Sequence, residues 1–551
     1  MEQRAAAIGS ERAPMNALAI DLGTTAAKVS VVADDGRILG SGTEAVPTRF
    51  GPNSIAEQDA EQVWNAVLSA ARQALAAAGS KAARDVGVVC ATSQWSSIIP
   101  VDVSGKPVGP MFVWLDGRGK RYTSALSAGA TSVTGPAAAD GGTAARAHWA
   151  NVHGLYPSTS LAHILHVQHD QPEMHARTAA YLEPMDYLNA RFCGRLAATG
   201  CSAMPLALTD NRVVGACTWS DDLIARAGID PSKLPELVAS LSVIGSILPT
   251  VADDLGVRRD AVVVAGANDS VAAALGTGAL DPGQATVVMG TTGVLTAHHV
   301  TRVVEPSKFI ATMPSALHDR YYVMAEAGLG GKVLETILDE IVRPDDGLVD
   351  RVDTGPDDLF DRVSRAVEGV APGADGLMFL PWLHGSASPK IDGRHRGAFI
   401  GISMGTTRLH MLRAVFEGVA LQMRWLADEV ESTLGVAFPM LRFGGGGAQS
   451  DTWSQTMADV LGRVVEQVEA PRHANARGAG LLGFLSIGRI SVGDLGAFVP
   501  IHRRYEPTAA SALFDERTLV FRDLHDRLAE PMARLQQPST ARNTNLEMES
   551  S

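Results

Sequence analysis

A chain of 551 residues is too long for one compact core, so two large domains are expected. With 46% hydrophobic and 19% charged residues it reads as an ordinary globular protein, and a formal net charge of -13 advertises no basic face for nucleic acid. Anionic ligands stay open, because a loop of backbone N–H groups holds phosphate even inside an acidic protein.

In chain order, residues 1–14 are polar and expected to be disordered. They lack the apolar stretch of a signal peptide, and no run of eighteen apolar residues suggests a membrane span, so a cytoplasmic protein is expected. Strands are expected over 18–21, 28–33 and 38–45, opening the fold with a hairpin. Asp21 ends the first of them, and Gly23-Thr24-Thr25 forms the turn that follows. Glu57-Gln58-Asp59 opens a helix over 60–77 electrostatically, with Val63, Val67, Ala70 and Ala71 on its apolar face. A strand over 86–91 then runs into Thr92-Ser93-Gln94-Trp95-Ser96-Ser97. Residues 120–240 lack clear periodicity and read as helices plus long loops. Cys90, Cys193, Cys201 and Cys217 have no zinc spacing and are expected as reduced, buried hydrophobes.

The second half repeats the opening. A β-branched run over 260–265 ends in Gly266, Asn268 and Asp269, and 283–300 is again strand, Gly290-Thr291-Thr292, strand. The same tripeptide in the same setting points to an internal duplication and a two-lobed enzyme. An amphipathic helix is expected over 405–435, with Leu412, Val415, Phe416, Val419, Met423 and Leu426 on one face and Gly435 as its stop. A short strand, four glycines and a helix capped by Ser450 or Asp451 follow over 440–462.

These parts suit phosphoryl transfer, which needs donors around nucleotide phosphates, a held Mg²⁺ and a carboxylate to take the acceptor's proton. The two hairpins supply N–H and O–H donors where backbone approaches closely. Asp21 is placed to reach a hydrated Mg²⁺, which needs only one or two carboxylates. Asp269 is either a general base or the cap of the helix after it. The glycine run admits a flat purine ring against bare backbone.

Over about residues 17–500 the sequence resembles the FGGY family of carbohydrate kinases, its xylulokinase-like branch above all. The motifs are IDLGTTAAK, EQDAEQVW, MFVWLDGR, EPMDYLNARFCG, VVAGANDSVAAALGTG, MGTTGV and GGGGAQSDTWSQTMADVLG, in that order. The resemblance implies an α/β fold of two actin-like (ribonuclease H-like) ATPase domains around a central cleft that binds ATP, Mg²⁺ and a small sugar or polyol. It implies an N-terminal domain over 15–258, a C-terminal domain over 259–505, and a C-terminal helix and loose tail over 506–551. Carried over by position, Asp269 becomes the catalytic base and, with Asp21, faces the metal. Thr24, Thr25 and Lys28, then Gly290, Thr291 and Thr292, line the phosphates. Gly330, Gly331, Gly446, Gly447 and Asp451 flank the adenosine. Gln94, Trp95, Ser96, Asp116 and Asp269 face the substrate, with Arg118 as a structural ion-pair partner. Trp95 either stacks on the sugar or fills core. Where xylulokinases carry Gln-Met-His-Gly this chain has Gln94-Trp95-Ser96-Ser97, which puts xylulose itself in question. The implied activity is ATP-dependent phosphorylation of a terminal hydroxyl of a pentulose. The alternatives are another polyol or aldonate (glycerol, erythritol, gluconate) and a non-catalytic sugar or nucleotide sensor. A homodimer is a family-level expectation.

Overall fold

The computed structural model describes residues 13–52, 54–130, 140–342 and 356–536, so most of the expected disordered N-terminus and the tail beyond 536 lie outside the described residues. The first lobe is built on a six-stranded sheet in the order Val243–Ser246, Val262–Val264, Val86–Ser93, Asn16–Leu22, Ala26–Ala33, Ile38–Ala45. Asn16–Leu22 and Val86–Ser93 pair in parallel and are buried along their whole length, as central strands covered on both faces require. Helix Ala60–Ala78 covers one face, and the side chain of Asp59 caps it by accepting from the N–H groups of Glu61 and Gln62.

The second sheet has eight strands: Val304–Glu305, Ile310–Pro314, Tyr321–Leu329, Thr292–His299, Gln284–Met289, Met440–Gly444, Val464–Val468 and Ile501–Tyr505. Its Tyr321–Leu329, Thr292–His299, Gln284–Met289, Met440–Gly444 and Val464–Val468 reproduce the order and directions of Ile38–Ala45, Ala26–Ala33, Asn16–Leu22, Val86–Ser93 and Val262–Val264. The duplication read from the two Gly-Thr-Thr turns is therefore present in the topology. The sixth strand differs. It pairs antiparallel with the fifth in both sheets but precedes it along the chain in the first lobe and follows it in the second.

Two boundaries move relative to expectation. Val262–Val264 pairs with Val88–Cys90, so the first sheet extends past 258; its β-branched run needs a parallel neighbour and cover on both faces. The C-terminal helix Ser511–Leu535 buries Phe514 and Phe521 in the second lobe's core, and so belongs to that lobe. The long helix Arg408–Leu434 runs through the same core. Thr407 caps it, and Gly435 ends it in a left-handed conformation (φ 68°). The unpatterned middle forms helices, among them Lys120–Ser127, Thr143–Val152 and Thr159–Asp170, around a satellite core of Phe112, Trp149, Leu161 and Leu165. Among the described residues no helix is long and apolar enough to cross a membrane.

The lobes meet through two helices, Asp269–Thr277 and Ala474–Ser486, each of which follows the fifth of the five shared strands in its own sheet and touches the other sheet. They cross on glycine. A Cβ on Gly276 would lie 1.8 Å from Ala474 O, and one on Gly478 1.8 Å from Ala272 O. No other residue permits that approach.

Candidate active site

The crossing helices bring the acids of the first lobe together. Asp21 lies at the buried end of its strand, opposite Lys28 in the antiparallel register. Burial holds its carboxyl above the usual range, against the opposing pull of Lys28, of Asn475 and of His473. Asn475, in the first turn of Ala474–Ser486, donates Nδ2 to Asp21 Oδ1 at 3.3 Å.

Asp269 is the first residue of its helix, but the cap is Asn268, whose side chain accepts from Val271 N at 3.0 Å. The helix is therefore capped by its neighbour Asn268 and not by Asp269. Asp269 keeps surface at the cleft, and its carboxylate accepts from Ser270 N at 2.7 Å. Burial first, then the carboxylates of Asp21 and Glu326, raise its pKa to about 7. The helix N-terminus pulls the other way, but a dipole worth about 0.3–1 kcal/mol is smaller than one pKa unit, about 1.4 kcal/mol, and loses. A carboxyl poised near neutrality suits general-base work.

The second hairpin is backed by glycine. Gly290 N donates to Thr292 O, Gly331 N to Gly290 O at 2.8 Å, and Gly330 N to Thr291 O at 2.9 Å. A Cβ on Gly331 would stand 2.7 Å from Gly290 O. Gly330 and Gly331 therefore support the Gly290-Thr291-Thr292 tip, whose Gly290 and Thr291 face solvent. The glycine run lies against the same strand end. Cβ atoms on Gly445 and Gly447 would meet Met289 O at 2.6 Å and Met289 Cγ at 2.6 Å, while one on Gly446 would come no nearer than 4.0 Å to Met289 O. Asp451 begins the next helix, with Ser450 as cap, and its carboxylate accepts Gln467 Nε2 and Arg503 Nη1, both at 3.3 Å.

Around the sugar loop and the first hairpin, several of these side chains bond within the protein. Asp116 has no exposed surface; its carboxylate takes Ala56 N at 2.9 Å and Arg118 at 2.7 Å, so it fixes a loop and does not face a substrate. Burial pushes its carboxyl up, but those bonds outweigh it and hold the group below its usual value. Thr24 spends its hydroxyl within the protein, on Gln94, leaving Thr25 and Lys28 as the outward groups of the first hairpin. Trp95 donates Nε1 to Cys201 O at 3.1 Å and packs on the hydrophobic cluster around Met204, Ala267 and Val271. Ser96 beside it is left-handed (φ 61°), a strained conformation held by Ser97 N donating to Glu183 Oε2 at 3.0 Å.

Four contributors escaped the sequence reading. Gln58, read as part of a helix start, donates to Thr24 O at 2.6 Å. Glu326 was visible as an acid inside the apolar strand Tyr321–Leu329. Asn475 and His473 carried no signal, since only the helix crossing brings them to Asp21. Among the described residues no three His, Cys, Asp or Glu side chains converge as a metal cage. The paired acids Asp21 and Asp269 fit a cation that keeps water and phosphate oxygens in its shell, as Mg²⁺ does.

Comparison with known proteins gives a consistent picture. The model of the N-terminal domain of the FGGY family of carbohydrate kinases matches residues 16–276, and that of its C-terminal domain matches residues 285–487. A gluconokinase of Bacillus subtilis is 24% identical over 487 residues, 87% of this chain and 88% of that protein. A xylulose kinase of the same organism is 25% identical over 475 residues, 86% of this chain and 88% of its own length. The crystal structure of gluconate kinase from Lactobacillus acidophilus superposes with a TM-score of 0.79 at 20% identity, covering 95% of this chain and 100% of that one.

Proposed function

The chain belongs to the FGGY family of carbohydrate kinases and is an ATP-dependent sugar kinase, and from that premise we propose that it phosphorylates a terminal hydroxyl of a pentulose such as xylulose, or of a similarly small sugar. The observation that carries this reading is Asp269, relieved of capping by Asn268 and raised to about 7 at the cleft. In this mechanism the acceptor hydroxyl gives its proton to Asp269 as its oxygen attacks the γ-phosphorus of ATP in line, and the bond to the β-phosphate oxygen breaks to release ADP. Thr25 and Lys28 on one side and Gly290, Thr291 and Thr292 on the other surround the phosphates. Gly446 and Gly447 offer bare backbone to the adenosine. Asp21 and Asp269 would hold Mg²⁺, which when bound neutralises phosphate charge.

A second reading, an aldonate or polyol such as gluconate or glycerol, draws support from the sugar loop, where Ser96 replaces the histidine of the xylulokinase pattern. ADP release measured with D-xylulose, D-ribulose, D-gluconate, glycerol and erythritol decides between them. The pentulose reading expects the highest kcat/KM with a ketopentose. A higher value with gluconate or glycerol would replace it with the second, and an enzyme stimulated by none would leave both without support.

A further inference from the structure

Two groups expected to serve different ligands are bound to each other. Thr24, at the tip of the first hairpin, donates its hydroxyl to Gln94 Oε1 at 2.6 Å and accepts Trp114 Nε1 at 2.9 Å. Gln58 closes the ring. Its Nε2 donates to Thr24 O at 2.6 Å and to Thr48 Oγ1 at 2.9 Å, and its Oε1 accepts Gln94 Nε2 at 3.5 Å. The direction of every bond is forced by two one-way groups. A carbonyl only accepts, so Gln58 must turn its NH₂ to Thr24 O and its oxygen to Gln94; Gln94 must then turn its own oxygen to Thr24. An indole N–H only donates, so the Thr24 oxygen accepts from Trp114 and its hydrogen is left for Gln94. Gln58 and Gln94 are 2% and 4% exposed, so water does not readily take either amide's place in the ring.

A hydroxyl carries one hydrogen. While Gln94 holds it, Thr24 cannot give it to a phosphate oxygen. We propose that Gln94 is a positioning residue that makes phosphoryl transfer depend on the acceptor: an acceptor hydroxyl donating to Gln94 Oε1 displaces Thr24, whose hydroxyl then turns to the terminal phosphate of ATP. This rests on the sugar-kinase reading and on the first hairpin facing the phosphates. Without acceptor, the competing reaction is attack of water on the γ-phosphorus, giving ADP, inorganic phosphate and a proton, and the ring withholds one donor from it.

The test needs no identified sugar. ADP release from ATP and Mg²⁺ alone is measured for the wild-type chain, Gln94→Met, and Gln94→Met combined with Thr24→Val. Gln94→Met keeps length and flexibility but removes the acceptor, and acceptor-free ADP release is expected to rise about tenfold. Adding Thr24→Val to Gln94→Met cancels the rise. A merely structural role predicts the opposite, an equal fall with and without acceptor. An unchanged or lower acceptor-free rate in Gln94→Met, or a rise that survives Thr24→Val, overturns the proposal. Stimulation of the wild type by D-xylulose, D-gluconate and glycerol is read separately, so a wrong acceptor class shows there and a wrong gate shows here.

Discussion

Laid strand on strand, Asp21 of the first lobe falls on Val288 of the second, because Gly23-Thr24-Thr25 and Gly290-Thr291-Thr292 occupy the same turn. Asp21 pairs with Thr92 and Val288 with Gly444, so the register carries the equivalence into the next loop: Ser93-Gln94-Trp95 stands where the second lobe has Gly445-Gly446-Gly447. The helix after the fifth shared strand begins with Asp269 in one lobe and with Ala474 and Asn475 in the other. At these positions the first lobe presents the acids Asp21 and Asp269 and the side chains of Ser93, Gln94 and Trp95, and the second presents Val288, three glycines, Ala474 and the neutral amide of Asn475. Proton and cation chemistry needs side chains that reach out. Close approach of a phosphate or a flat base needs side chains that are absent. Duplication alone would give a symmetric cleft; divergence at these few loop positions lets acceptor and nucleotide bind in only one sense.

The largest test of this division sets Asp269 against its counterpart. Asp269→Asn keeps size and fold but cannot accept the proton, and is expected to lower kcat by roughly 10²–10⁴. Asn475→Ala removes only the 3.3 Å bond to Asp21 and is expected to cost about tenfold. Steady-state ADP release on the best acceptor measures both. Equal losses would mean that the acid chemistry is shared between the lobes.

A second test addresses what the lobes hold in common. Gly478→Ala puts a methyl 1.8 Å from Ala272 O and forces the crossing helices apart. Overpacking of this kind costs about 1–3 kcal/mol, and the upper end is expected because the clash is with backbone. Gly496→Ala, with nothing within 4 Å of the new carbon, is the control and should be neutral by chemical unfolding. If the two variants unfolded alike, the crossing would not be the joint that fixes Asp269 relative to Asp21.

Much of this arrangement could be read from residues alone, because it is local. Asp21 and Asp269 follow β-branched runs, the Gly-Thr-Thr turns repeat, and the helix 405–435 shows a 3–4 spacing that ends at Gly435. What could not be read is what two distant segments do together. Asp116 carries the residue type of a substrate site, and Arg118, two positions on, is the ion-pair partner expected for it, yet the N–H of Ala56 comes from another strand; only the fold shows the carboxylate fully taken. Gln58 looked like part of a helix start, and Asp59 alone caps that helix while Gln58 turns back to Thr24. The boundary near 258 failed for the same reason, since pairing of Val262–Val264 with Val88–Cys90 leaves no trace in either stretch alone.

The smallest expected effect concerns Trp95, where the lobes differ in bulk. Its counterpart Gly447 is small because Met289 Cγ would stand 2.6 Å from any Cβ there. In the first lobe that space is filled by an indole, bonded to Cys201 O and packed on the cluster between the lobes. If filling is its role, Trp95→Phe loses one hydrogen bond and some packing, costs about 1 kcal/mol of stability, and leaves the acceptor KM within about twofold. If instead the indole lay over the sugar, the smaller ring would raise KM several-fold and leave the melting temperature unmoved. The packing sets the expectation: the indole N–H is held by the backbone carbonyl of residue 201 and the ring rests on the cluster between the lobes, so the wild-type side chain already spends its bond and much of its surface inside the protein, and a carbonyl left without its donor costs stability before it costs acceptor binding.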